Sequence, residues 1–157
     1  MKKYLSIDIG GTNLKYALID EKGHILEKDR VKTDAKNLTA FMENMYEVID
    51  SYQDQFEGIA ICAPGKIDTE NKIIYFGGAL QFLDGLNLQD ALGEKYNVPI
   101  SVENDGKAAA LSEQWLGELR GVDTGVAITL GTGVGGGVVV NNHLLHGWTF
   151  QAGELRW

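Results

Sequence analysis

Ser6-Ile7-Asp8-Ile9-Gly10-Gly11-Thr12 and Ala127-Ile128-Thr129-Leu130-Gly131-Thr132-Gly133 decide how this chain is read. Each is an apolar, β-branched run that ends in a Gly/Thr turn and passes directly into another such run. That pattern reads as strand, tight turn, strand. The two stretches lie 121 residues apart, too far for a solenoid repeat and suited to a duplicated α/β unit. A second unit like the first needs on the order of 100 residues, whereas 35 follow position 122. The expectation is therefore one unit over residues 1–121 and the first hairpin of a truncated second unit over 122–157.

Working outward, strands are expected at Tyr4 to Ile9, Asn13 to Ile19 and His24 to Thr33, the last two joined by the polar turn Asp20-Glu21-Lys22-Gly23. Leu38, Phe41, Met42, Met45, Val48, Ile49 and Tyr52 follow helical spacing and predict an amphipathic helix over 38–53. A short buried strand, Phe56 to Cys62, stops at Ala63-Pro64-Gly65, and 66–86 reads as loops with one strand near Ile73-Ile74-Tyr75. A helix over 87–96 has Asn87 as its cap and Pro99 beyond its end. The strand Ile100 to Val102 runs into Asn104-Asp105, either of which can cap a helix over 106–117. Val126 to Leu130 and Val134 to Val140 flank the second glycine cluster. This order predicts an α/β fold with a mixed sheet, mostly β-hairpin plus βαβ.

Composition narrows the function. The chain has 157 residues, 44 % apolar and 23 % charged, the balance of a globular protein. A net charge of −8 argues against a nucleic-acid partner, which needs a basic face. No run approaches the roughly 20 apolar residues of a membrane helix. Met1-Lys2-Lys3 opens like a signal peptide, but Asp8 and Gly10-Gly11 interrupt the apolar stretch. With Cys62 as its one cysteine, the chain builds no internal disulfide and no cysteine zinc site. A cytoplasmic protein is expected. Glycine occurs 20 times, concentrated at 10–11 and 131–137, where backbone must approach something closely.

Gly131, Gly133 and Gly136 spell G-x-G-x-x-G, but a dinucleotide fingerprint opens a helix and Val138-Val139-Val140 continues as a strand. No P-loop pattern occurs. Two glycine-rich hairpin turns remain, and successive backbone N–H groups there can cradle an anion. Beside the first, Asp8 could hold Mg²⁺ through its waters and Lys15 could neutralise phosphate charge. Asp105, at a strand-to-helix junction, is placed to take a proton from an attacking hydroxyl, with Asn104 fixing the acceptor. Helix capping explains either residue equally well on position alone. His143 and His146 have no further ligand nearby. Tyr75, Phe76, Phe82, Trp115 and Trp148 read as core or loop anchors, and Cys62 as an inert buried thiol.

Asp8-Ile-Gly-Gly-Thr-Asn-Leu-Lys15, Val102-Glu-Asn-Asp-Gly-Lys-Ala-Ala-Ala-Leu-Ser-Glu113, Leu130-Gly-Thr-Gly-Val-Gly-Gly-Gly137 and Ala152-Gly-Glu154 resemble, in order and spacing, the signatures of the ROK family of bacterial sugar kinases and sugar-responsive repressors. The resemblance implies a ribonuclease-H-like, actin-like ATPase lobe, the N-terminal portion of a two-lobed protein with ATP and Mg²⁺ between the lobes. It gives Asp8, Gly10, Gly11, Thr12 and Lys15 to a first phosphate loop and Gly131, Thr132 and Gly133 to a second. It makes Asp105 the catalytic base, and Asn104, Asp105 and Glu154 ligands of sugar hydroxyls, with Gly77 and Gly78 lining the same pocket. Zinc-containing members carry a histidine where this chain has Trp157, so the resemblance is to the zinc-less branch and no zinc site is expected. Repressor members place a winged helix before the first phosphate loop, which here opens within a few residues of Met1. The function implied is ATP-dependent phosphorylation of a sugar hydroxyl on a hexose, N-acyl-hexosamine or glycoside, by a homo-oligomer with sugar and nucleotide as its partners. The alternative is a non-catalytic sugar-binding or regulatory protein that retains the fold.

Overall fold

The computed structural model describes residues 1–131 and 133–155; Thr132, Arg156 and Trp157 lie outside them. The chain divides into two compact units, Met1–Val102 and Glu103–Trp157. The second of these units includes the 106–117 helix, which packs on the second glycine hairpin.

In the first unit β1 (Lys3–Ile9), β2 (Asn13–Asp20) and β3 (Ile25–Lys32) form an antiparallel meander. β4 (Ile59–Ala63) pairs parallel with β1, and the sheet is completed by β8 (Ile100–Asn104) in the order β3-β2-β1-β4-β8. This is the mixed α/β sheet expected. Alternation sets its faces: Leu5, Ile7 and Ile9 on β1 and Ile59, Ile61 and Ala63 on β4 are buried, while the residues between them are not. Helix α1 (Leu38–Asp50) covers the buried face with Phe41, Met42, Met45 and Ile49. Asn37 starts α1 by accepting the Ala40 N–H at 2.9 Å.

Residues 66–86 depart from expectation. In place of loops with one strand, β5 (Lys66–Asp68), β6 (Ile73–Tyr75) and β7 (Leu86–Asn87) make a small antiparallel sheet of their own. Strands of two and three residues leave too few positions for an alternating pattern to show in sequence. The predicted 87–96 helix forms as a π-type turn, Gln89–Gly93, running into the short α2 (Glu94–Tyr96). Asn97, in the left-handed region at φ 51°, ends it.

In the second unit α3 (Asp105–Leu116) packs on the hairpin of β9 (Gly125–Leu130) and β10 (Val134–Val140), which β11 (His143–Leu144) extends. β9 is an edge strand, with Val126, Ile128 and Leu130 exposed on one face. Of the aromatics expected as core or loop anchors, Phe76, Trp115 and Trp148 are exposed, Trp148 to 98 %, and Cys62 is half-buried rather than buried.

Tyr52, just beyond α1, ties the helix side to β3: its hydroxyl donates to Glu27 Oε1 at 3.0 Å. Burial first, then Glu27, pushes the phenol up to about 12. The folded state therefore keeps a proton that the unfolded phenol releases near pH 10. Its contribution is full below about pH 10 and is lost as pH rises toward 12. Urea unfolding of the wild type should weaken between pH 9.5 and 11.5 more steeply than that of Tyr52→Phe; parallel profiles would remove Tyr52 from the account.

Candidate functional site

The site residues of the first unit gather around the turn between β1 and β2. Gly10 N–H donates to the Asn13 carbonyl at 3.1 Å, so tightly that a Cβ on Gly10 would stand 2.7 Å from that same oxygen. Only glycine fits there. Thr33, buried just past β3, clamps the turn from the far side. Its hydroxyl donates to the Gly10 carbonyl at 2.7 Å, and its N–H to the Thr12 carbonyl at 2.9 Å. Sequence reasoning misses Thr33, because a threonine at a strand end carries no pattern of its own.

Asp8 and Lys15 face each other in register across β1 and β2, Nζ to Oδ2 3.7 Å, both substantially exposed. An exposed pair of this kind contributes little stability, so a ligand can draw on both side chains at little cost to the fold. Beside the turn lies the 77–79 loop: a Cβ on Gly11 would stand 3.5 Å from that of Ala79. Gly77 is buried, with no room for a side chain against the Leu80 carbonyl, and Gly78 sits at φ +63° against Pro64. Phe76, one residue earlier, is 67 % exposed and held at φ 53°. A bulky residue in the left-handed region is strained, and such strain clusters at ligand sites. The structure thus brings Asp8, Gly10, Gly11, Thr12, Lys15, Gly77 and Gly78 to one region of the first unit.

In the second unit, Asn104 is the cap of α3. Its Oδ1 accepts the N–H groups of Gly106 and Lys107 at 3.0 and 3.2 Å. Asp105 is therefore relieved of the capping role; it is exposed on the first turn, one carboxylate oxygen accepting the Gly106 N–H at 2.8 Å. The first turn meets β10 backbone to backbone. A Cβ on Gly106 would lie 2.5 Å from Gly136 N, and one on Gly137 would lie 3.0 Å from Lys107 Cα. From the other face of β10, a Cβ on Gly136 would lie 3.1 Å from the Gly153 carbonyl, which brings the loop carrying Glu154 against the same strand. Three consecutive glycines, Gly135 to Gly137, thus let a helix and a loop approach one strand from opposite faces.

Gly131 stands at the open tip of the hairpin, where a Cβ would meet nothing within 4 Å, and its N–H donates to the Gly133 carbonyl at 2.9 Å. Thr132, assigned to the same phosphate loop, lies outside the described residues.

A further pair carries no signal in the sequence. His146 Nε2 lies 2.7 Å from Glu103 Oε2, while Glu103 Oε1 accepts the Asn104 N–H at 2.8 Å. The His146 carbonyl accepts the Ala152 N–H at 3.0 Å. Glu103 and His146 therefore link the Asn104-Asp105 junction to the loop that carries Glu154. No sequence spacing could reveal a pair 43 residues apart.

Asp8 and Lys15 beside an unobstructed glycine turn suit a phosphate with its Mg²⁺: the turn offers backbone where a Cβ cannot fit, a carboxylate for metal-bound water and an ammonium for phosphate oxygen. Among the described residues no three His, Cys, Asp or Glu side chains cluster as a metal site. The zinc-less expectation rests on Trp157, outside those residues. No helix among them is long and apolar enough to cross a membrane.

The ROK family model matches residues 4–155. A β-glucoside kinase of Listeria monocytogenes is 34 % identical over 153 residues, covering 98 % of this chain and 52 % of that protein. A ROK family glucokinase of Streptomyces griseus, solved with glucose and AMPPNP, superposes with a TM-score of 0.87 at 30 % identity over 97 % of this chain and 49 % of that one. A xylose repressor of Bacillus subtilis is 29 % identical over 96 % of this chain and 41 % of its own length. The chain spans about half the length of the curated kinases it matches.

The contact between α3 and β10 is open to direct test. Gly106→Ala drives a methyl into the β10 backbone and should cost about 1–3 kcal/mol, the usual range for overpacking. Denaturant unfolding gives the loss, and hydrogen exchange at Gly135 to Gly137 should quicken with it. Unchanged stability and exchange would show that the two backbones do not constrain each other.

Proposed function

The chain belongs to the ROK family, and from that premise we propose that it supplies the N-terminal lobe and the first hairpin of the second lobe of an ATP-dependent sugar kinase. The observation that carries the reading is Asp105: exposed on the first turn of α3, relieved of capping by Asn104 and held by a glycine contact that fixes the turn. A pure binding protein has no need of a carboxylate so placed.

Asp105 takes the proton of the sugar hydroxyl as that oxygen bonds to the γ-phosphorus and the bond to ADP breaks. Asn104 and Glu154 orient the sugar. The first turn, with Gly10 fixing its shape and the backbone N–H groups of Gly11 and Thr12 beside Lys15, and the second turn at Gly131, Thr132 and Gly133 hold phosphate oxygens. Mg²⁺, reached through water by Asp8, would neutralise phosphate charge. Most of the acceleration then comes from positioning and preorganised dipoles, which suits a chain of net charge −8. The substrate is a hexose, N-acyl-hexosamine or glycoside; the matching kinases act on glucose and β-glucosides by name. The protein works in the cytoplasm as a homo-oligomer.

In the protein completed to the length of its relatives, Asp105→Asn should lower kcat by about 10²-fold or more, the scale of a general base, with sugar KM changed far less. Turnover at the wild-type rate would discard the mechanism. The 157-residue chain alone should consume no ATP in the presence of sugar, because phosphoryl transfer depends on exclusion of water and alignment of the nucleotide. Activity near that of the completed protein would overturn the two-lobe reading.

A further inference from the structure

Lys107 is 1 % exposed, and its Nζ is the buried side-chain nitrogen or oxygen without a hydrogen-bond partner among the described residues. Buried lysines are rare, and an ammonium withdrawn from water without an anion is among the costliest groups a fold carries. Packing gives no reason for it: Ala110, one turn on, is fully buried, and the strand beside Lys107 is glycine. A methionine would fill the same space without the charge. Natural folds tolerate such a cost where a ligand relieves it.

Lys107 is the third residue after the Asn104 cap. A helical side chain leans toward the N-terminus of its helix. Its four-carbon stem is longer than the rise of about 3 Å that separates it from Asp105, long enough for the ammonium to reach the helix end. The Gly106 and Lys107 N–H groups are already taken by Asn104 Oδ1, so an anion there would be held by the ammonium and the partial charge of the α3 dipole rather than by free N–H groups. Residues 103–155 hold six carboxylates and two basic side chains, Lys107 and Arg120. Among the described residues, Lys107 therefore supplies the one full positive charge buried at this helix end, where the backbone offers only partial charges.

From this we infer that Lys107 and the N-terminus of α3 form an anion site for a phosphoryl group. Resting on the kinase reading, its occupant is the group being transferred to the sugar. Lys107 is then a charge partner that lets an anionic phosphoryl approach the anionic Asp105 two residues away, which otherwise repels it.

Urea unfolding of the 157-residue chain, in sodium chloride and in inorganic phosphate at equal ionic strength, tests the site without any activity. The wild-type midpoint should rise in phosphate. Lys107→Met should match or exceed the wild type in chloride, because an uncompensated buried charge is gone, and should lose the phosphate shift. Lys107→Gln repeats the comparison if methionine is not accommodated. A wild type indifferent to phosphate, a Lys107→Met that keeps the shift, or variants that unfold more easily in chloride would each overturn the proposal; the last would make Lys107 structural, or a partner for a carboxylate elsewhere. In the completed protein, Lys107→Met should lower kcat by about 10-fold or more with little change in sugar KM. A Lys107-dependent phosphate shift in a protein that phosphorylates no sugar would keep the anion site and remove the kinase reading.

Discussion

The first turn of α3 lies directly on the backbone of β10, and the candidate chemistry of the second unit depends on that contact. Gly106 meets Gly136 where a Cβ would be 2.5 Å from the amide nitrogen. Glycine there costs conformational entropy, and the return is a helix terminus pinned without intervening side chains. Asn104 caps, Asp105 is left exposed, and Lys107 is drawn inside. The opposite face of β10 receives Gly153, so the strand fixes both the helix that carries Asp105 and the loop that carries Glu154.

The first unit solves a related problem with a clamp. Its turn at Gly10-Gly11-Thr12 leaves no room for a side chain at Gly10, and Thr33 holds it by two hydrogen bonds from a neighbouring strand end. Backbone so held costs little reorganisation when an anion arrives. Each unit therefore offers backbone held in place by its own contacts, with Lys15 beside the first turn and Lys107 buried on α3.

The meander, α1 and both glycine hairpins are legible in the sequence, because Leu5, Ile7 and Ile9 alternate and Phe41, Met45 and Ile49 follow helical spacing. Asp105 is marked there too, but whether that residue or Asn104 caps the helix stays open until the two N–H groups received by Asn104 Oδ1 decide the matter. The β5–β7 sheet is illegible because its strands are too short for periodicity. Thr33, the Glu103–His146 pair and the isolation of Lys107 are hidden for another reason: each is defined by tertiary proximity or burial, which residue spacing does not encode. Glycines 135 to 137 look in sequence like one cluster with the phosphate loop, whereas they serve packing, and only the hairpin tip stays open.

The most direct test of where this chain meets its ligands is amide chemical-shift mapping by NMR with millimolar glucose and AMPPNP. The account predicts that the nucleotide analogue moves the amides of Gly10, Gly11 and Thr12, and that glucose moves those of Asn104, Asp105 and Glu154. The groove residues away from the Thr33 clamp, Asp34 to Lys36 with Glu43 and Glu47 of α1, should stay silent. Shifts confined to that groove, with the glycine turns and the α3 terminus unmoved, would contradict it.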